Sequence, residues 1–110
     1  MSEKELNKMG VWTILVPTIM NGHPVRTIHH KKWDERVKKI TGGLTITPPG
    51  KGYWVNSEGE TIHERMIPVI IRCTERNIIK ISDITAEHYN QNAIMFYKIS
   101  DDVRIKTYEK

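Results

Sequence analysis

Between Pro49 and Cys73 the chain reads PGKGYWVNSEGETIHERMIPVIIRC, and this stretch holds the residue types best suited to chemistry. An aromatic pair, Tyr53 and Trp54, follows two glycines, Gly50 and Gly52. A turn at Glu58-Gly59 then reverses the chain, with glycine supplying the positive φ such a turn needs. The returning segment carries Glu64 just before an apolar run from Met66 to Ile71. A carboxylate at the inner end of an apolar strand is costly unless something pairs with it. Three partners would account for it: a basic side chain on an adjacent strand, water at a fraying strand end, or a cationic small molecule. In strand period, Ile62, Glu64, Met66, Pro68 and Ile70 share one face, and His63, Arg65, Ile67, Val69 and Ile71 share the other. Tyr53 and Trp54 suit either packing or ligand contact, and Gln91 suits a helix end.

Several other chemistries lack their residues. PPGKGYW has Gly-Lys but neither the spacing nor the Ser/Thr of a phosphate loop. His29 and His30 are adjacent, so they diverge on a helix, and His23, His63 and His88 are scattered, which leaves no paired-His metal motif. Cys73 reads as a buried thiol at a strand end, and no serine sits in a nucleophile elbow. An enzyme made from this chain is therefore expected to use no metal, no cofactor and no covalent nucleophile, and to need no strong general base.

The elements that must position these residues follow from periodicity. Val11 to Met20 reads as a buried strand, with Pro17 marking a bulge or the end of pairing. A helix is predicted from about His29 to Thr41, where Trp33, Val37 and Ile40 share a face and Gly42-Gly43 ends the run. Leu44 to Thr47 is a short strand, broken by Pro48-Pro49-Gly50-Lys51-Gly52. Tyr53 to Asn56 and Thr61 to Cys73 form a hairpin, with Pro68 expected at a bulge or an edge. Thr74 caps a second helix that runs to about Tyr89, with Ile78, Ile81, Ile84 or Thr85, and His88 inward. Ala93 to Ile99 is a further strand, and Val103 to Tyr108 alternates as an extra C-terminal edge strand. The order βαββαβ predicts an α+β, ferredoxin-like sheet with both helices on one face. The other face is left uncovered, which favours packing on copies of the same chain as a dimer or trimer.

At 110 residues the chain fits one domain, assigned to residues 11–110, with residues 1–10 as a flexible tail. No apolar run approaches a membrane span, and the opening MSEKELNKMG has the character of neither a signal nor a transit peptide. A single cysteine is compatible with the cytoplasm. The net charge of +4 is mild, and the dense basic segment HHKKWDERVKK reads as the solvated face of a helix. Its one large aromatic, Trp33, belongs to the apolar face, so no nucleic-acid partner is expected.

Taken together, the segments resemble the small bacteriophage enzymes that degrade S-adenosylmethionine (SAM), the SAM lyases once called SAM hydrolases. The likeness rests on VWTILVPTI, on the glycine-rich run Gly50-Lys51-Gly52-Tyr53-Trp54, and on a glutamate some ten residues later. It continues in Ile70-Ile71-Arg72-Cys73 and in Gln91-Asn92-Ala93-Ile94-Met95-Phe96-Tyr97-Lys98. The interval from that glutamate to Arg72-Cys73 departs from the pattern, so Glu60 and Glu64 are both candidates for the family's carboxylate. The resemblance implies a PII-like trimer in the cytoplasm of an infected bacterial host, with SAM bound between subunits and host restriction countered by its removal. It implies catalytic roles for Tyr53 and Glu64, and substrate contacts from Gly52, Trp54, Glu60, Met66 and Gln91. Two other readings stand beside it: a PII-like trimer that binds SAM or a nucleotide in the same pocket without turnover, and a phage factor that blocks a host enzyme or binds nucleic acid through His29–Lys39.

Overall fold

The computed structural model describes residues 2–109. The chain runs α1 (Glu3–Leu6), β1 (Met9–Pro17), β2 (Ile19–Met20), β3 (His23–Pro24), α2 (Thr27–Thr41), β4 (Thr45–Ile46) and β5 (Gly50–Val55). It continues as β6 (Thr61–Thr74), α3 (Glu75–His88) and β7 (Phe96–Ser100). β1 and β6 form the centre of an antiparallel sheet. β7 lies outside β1, and β4 and β5 lie end to end outside β6. This is the expected ferredoxin-like α+β layout: each long helix crosses over between two strands that flank a third.

The core lies between that sheet and the helices. Trp12, Ile14 and Val16 of β1 and Val69, Ile71 and Cys73 of β6 face Trp33 and Val37 of α2 and Ile78 and Ile81 of α3. The Trp33 indole N–H donates to the Thr85 hydroxyl at 2.9 Å, so this buried polar pair is satisfied within the core. Of the two inward candidates in α3, Thr85 is buried and Ile84 only partly so. Thr74 caps α3 by accepting from the Asn77 N–H at 3.1 Å. Gly42 ends α2 with φ 82°, a left-handed value open to glycine.

Pro68 stands in a central strand without a bulge. It pairs with Leu15 in an unbroken register. Its carbonyl accepts from the Thr47 N–H at 3.0 Å, so its ring nitrogen also faces β4. The outer ladder is interrupted there by Pro48 and Pro49, and the missing donor falls where no ladder bond is required.

Two terminal expectations differ from the structure. The segment read as a tail contains α1, capped by Ser2, and the start of β1, where Gly10 is buried. Arg76 of α3 holds α1 through Glu3. The extra C-terminal strand does not form: residues 102–109 pair with no strand. Arg104 folds back on Asp102 at 3.0 Å, and Ile105 and Tyr108 remain exposed, with no sheet face beneath them to bury the alternation. No helix among the described residues is long and apolar enough to cross a membrane.

Candidate functional site on the β5–β6 hairpin

β5 and β6 project beyond the part of the sheet covered by the helices, and their register decides which side chains can meet. Asn56 and Glu60 pair through the Asn56 N–H and the Glu60 carbonyl at 3.0 Å. Three residues remain in the loop, Ser57, Glu58 and Gly59, with Gly59 at φ 80°. A three-residue loop ending in a left-handed glycine is a standard hairpin closure. The Asn56 side-chain oxygen reinforces it by accepting from the N–H groups of Glu58 and Glu60.

That loop sets Lys51 opposite Arg65, Gly52 opposite Glu64, Tyr53 opposite His63 and Trp54 opposite Ile62. Cross-strand partners share a face, and successive residues alternate. Tyr53 therefore lies on the helix side of the hairpin, its ring edge-on to His63 at 4.8 Å between centroids. Glu64 lies on the helix-free side with Trp54, Ile62 and Met66. The two residues expected to carry the chemistry are on opposite faces of one hairpin.

On the helix-free side the glycines shape the surface. Gly50 and Gly52 stand opposite Met66 and Glu64 and bring no side chains. A Cβ at Gly52 would find only the Glu64 carbonyl within 4 Å, at 3.8 Å, and one at Gly50 would find nothing. The result is an open strip of backbone on the face that carries Trp54, Glu64 and Met66. Glu64 is exposed and makes no ion pair among the described residues. A carboxylate, an indole face and a thioether suit an organic cation.

The remaining predicted residues lie elsewhere. Glu60 closes the turn, with the Asn56 amide donating to its carboxylate at 3.3 Å. Gln91 follows α3 on the helix side. Its amide donates to the carbonyls of Tyr89 at 3.0 Å and Ile19 at 3.4 Å, so it ties the helix end to β2. Sequence reasoning passes over Lys51 and Arg65, which share the Tyr53 face. Their signal is the turn length, which fixes what stands beside Tyr53. Cys73 is buried at the far end of β6, and burial pushes its thiol up to about 11.

No protein-family model and no curated protein matches the chain. Solved structures do. The class they define is the ferredoxin-like, PII-like fold. CutA1, the divalent cation tolerance protein from Thermus thermophilus, superposes with a TM-score of 0.64 at 10% identity, over 90% of this chain and 87% of that one. The periplasmic CutA of Archaeoglobus fulgidus gives 0.60 at 13% identity, over 93% and 88%. A phage SAM lyase in complex with S-methyl-5'-thioadenosine gives 0.61 at 16% identity, over 99% of each chain. At these identities the likeness establishes the fold.

Proposed function

We propose that the protein is a SAM lyase that cyclises SAM to homoserine lactone and releases methylthioadenosine. The observation that carries this reading is the set of side chains on the helix-free side of the hairpin. There Glu64, Trp54 and Met66 share one face with Gly50 and Gly52, which bring no side chains to it. The full-length likeness to a phage SAM lyase holding methylthioadenosine supports it, as does the order of the sequence motifs.

In the reaction the substrate's own carboxylate attacks its γ-carbon. The new C–O bond forms as the C–S bond breaks, and the sulfonium leaves as a neutral thioether. No proton is transferred. The protein's work is to fold the methionine arm so that oxygen, carbon and sulfur align, an effect that reaches ~7–11 kcal/mol in well-oriented intramolecular reactions. Opposite charges cancel along the path, so a dry pocket favours the transition state over the separated ions. Glu64 holds the ammonium or ribose hydroxyls and leaves the substrate carboxylate free. Tyr53 orients the arm, and Trp54 and Met66 contact the sulfonium and adenine. The working form is a trimer in the cytoplasm of an infected bacterium, with host restriction as the process opposed.

Incubating the protein with SAM tests this directly. Methylthioadenosine and homoserine lactone are the expected products. In heavy-oxygen water, the lactone trapped early carries no label. Glu64→Gln and Tyr53→Phe each lose about a hundredfold in turnover while keeping the fold. The comparable likeness to CutA1 favours a second reading, a binding trimer without turnover. Binding of SAM with no product would select it.

A further inference from the structure

Among the described residues, one buried side-chain polar group has no hydrogen-bond partner: the indole N–H of Trp12, a residue 5% exposed. A buried donor without an acceptor is costly. Its surroundings show what kind of acceptor fits. Gly10 lies two residues before Trp12 on the same face of β1. Three groups converge where a Cβ on Gly10 would stand: the Lys98 Cε at 2.7 Å, the Ser100 carbonyl at 3.2 Å and the Trp12 Nε1 at 3.4 Å. The glycine therefore leaves a slot beside the indole nitrogen, and the Lys98 stem lies across it. The Lys98 ammonium sits 5.2 Å from the centre of the Trp12 ring. It is paired with Asp101, which also accepts from Lys8 at 3.3 Å. Asp101 thus engages two ammonium groups, and the indole donor beside them is left over. Exposed ion pairs of this kind contribute little to stability. An anion that takes both ammonium groups and the indole N–H as well can displace Asp101. Lys8 also borders an open groove of about 570 Å³ with Ser2, Lys4 and Glu5, from which an anion can approach. Glu5 is the groove's own carboxylate, and Asp102 is engaged by Arg104.

We propose that Lys8, Lys98 and the Trp12 indole form a binding site for a phosphate-sized oxyanion, with Asp101 as the internal carboxylate that holds the two lysines until the anion arrives. A tetrahedral oxyanion offers three oxygens to the three donors, where a carboxylate offers two. On binding, the Lys98 stem swings off Gly10, Asp101 turns to solvent and the indole N–H gains its acceptor. The site lies at the end of β1 that pairs with Ile71–Thr74, away from the β5–β6 hairpin, and it does not rest on the lyase reading.

Inorganic phosphate, titrated at constant ionic strength, tests the site. The chain's three tryptophans give separate indole N–H resonances in a nitrogen-15-labelled sample, and Trp12→Phe identifies the one concerned. That resonance is expected to move and to saturate, while the Trp33 indole, bonded to Thr85, stays in place. Lys98→Gln should weaken binding about tenfold. Asp101→Asn, which removes the internal competitor, should tighten it about threefold. The Lys98 side chain is 31% exposed and that of Asp101 48%, so both variants are expected to keep the fold, which thermal melts check. A Trp12 resonance that fails to saturate with phosphate in both the wild-type and the Asp101→Asn proteins overturns the proposal. So does an Asp101→Asn protein that binds phosphate no more tightly than wild type, because an Asp101 with a purely structural role has no lysines to release. Acetate should bind more weakly than phosphate, and equal affinity for the two would overturn the three-donor site.

Discussion

From Val69 to Cys73, β6 lies under both helices, and its inward residues are almost wholly buried: Val69 1%, Ile71 0%, Cys73 2%. From Thr61 to Arg65 the same strand pairs with β5 and lies beyond the helices, and all but Ile62 are exposed. One half of the strand holds the fold together. The other leaves aromatic, basic and acidic groups exposed. The core and the proposed site therefore lie at opposite ends of one element, and substitutions should separate them. The largest separation is expected between two tryptophans. Trp33→Ala removes a side chain that is 1% exposed and leaves Thr85 without its indole donor, costing about 3–5 kcal/mol. Trp54→Ala, at the open tip, costs about 0.5 kcal/mol or less. Urea unfolding of the two variants checks this, and similar losses would mean that the hairpin belongs to the core after all.

The glycines beside Glu64 sharpen the same contrast from the side of the proposed function. A Cβ at Gly52 meets no tight contact, and Gly52 has no positive φ, so Gly52→Leu is expected to fold normally. The leucine fills the space above Glu64, and turnover falls about a hundredfold, as for other displacements of a bound substrate. A Gly52→Leu protein that melts like wild type and still forms methylthioadenosine at the wild-type rate would remove this face from the proposed reaction.

Much of the covered half can be read from the residues. The spacing of Trp33, Val37 and Ile40, the Thr74 cap and the Gly42 stop all follow from helix geometry, and the βαββαβ order leaves few sheets to choose from. The hairpin is harder to read, for a reason of parity. A four-residue turn over Ser57–Glu60 pairs Tyr53 with Glu64 on one face. The observed three-residue loop, stabilised by the Asn56 side chain and by Gly59, shifts the register by one and puts them on opposite faces. The choice between those loops depends on hydrogen bonds around Asn56, which hydrophobic periodicity does not report. Pro68 escapes the sequence for a related reason. Its effect depends on the Pro48-Pro49 break opposite it, a partner that strand-by-strand reading does not supply.

A smaller effect is expected where α2 meets α3. The ring N–H groups of His29 and His88 donate to each other's backbone carbonyls, at 2.6 and 2.8 Å, and the rings stack at 4.0 Å. Arg36 donates to the other nitrogen of His88 at 3.2 Å, so His88 is neutral in this arrangement. His30 is hydrogen-bonded to the buried Tyr89 hydroxyl at 2.6 Å. Burial is the main cause that holds both His88 and His30 below the usual 6.5; at His88 the hydrogen bond to the His29 backbone opposes it, the His29 and Arg36 charges add to it, and Glu87 opposes. Asp34 opposes the shift at His30. Because the unfolded chain takes up protons first, this contribution is complete above 6.5 and is lost as pH falls through the folded values. Asp34, raised mainly by burial, works in the opposite sense in the carboxylate range. Thermal melts from about pH 8 down to about pH 5 should show the melting temperature falling on the acid side, and His88→Gln should flatten the slope. An unchanged melting temperature across that range would mean the cluster is open to protons in the folded protein.

Cys73 gives the smallest effect and the sharpest control. It lies in the covered half of β6, opposite Gly10 of β1, and burial keeps its thiol protonated at neutral pH, with a value of about 11. A thiol in that state is a poor nucleophile. Cys73→Ala leaves a small void and costs about 1 kcal/mol. On the proposed mechanism turnover should be unchanged, because the substrate supplies its own nucleophile and the candidate site lies at the other end of the strand. A folded Cys73→Ala protein that has lost turnover would join the two halves of β6 in one mechanism, and the division between a stabilising end and a reacting end would fail.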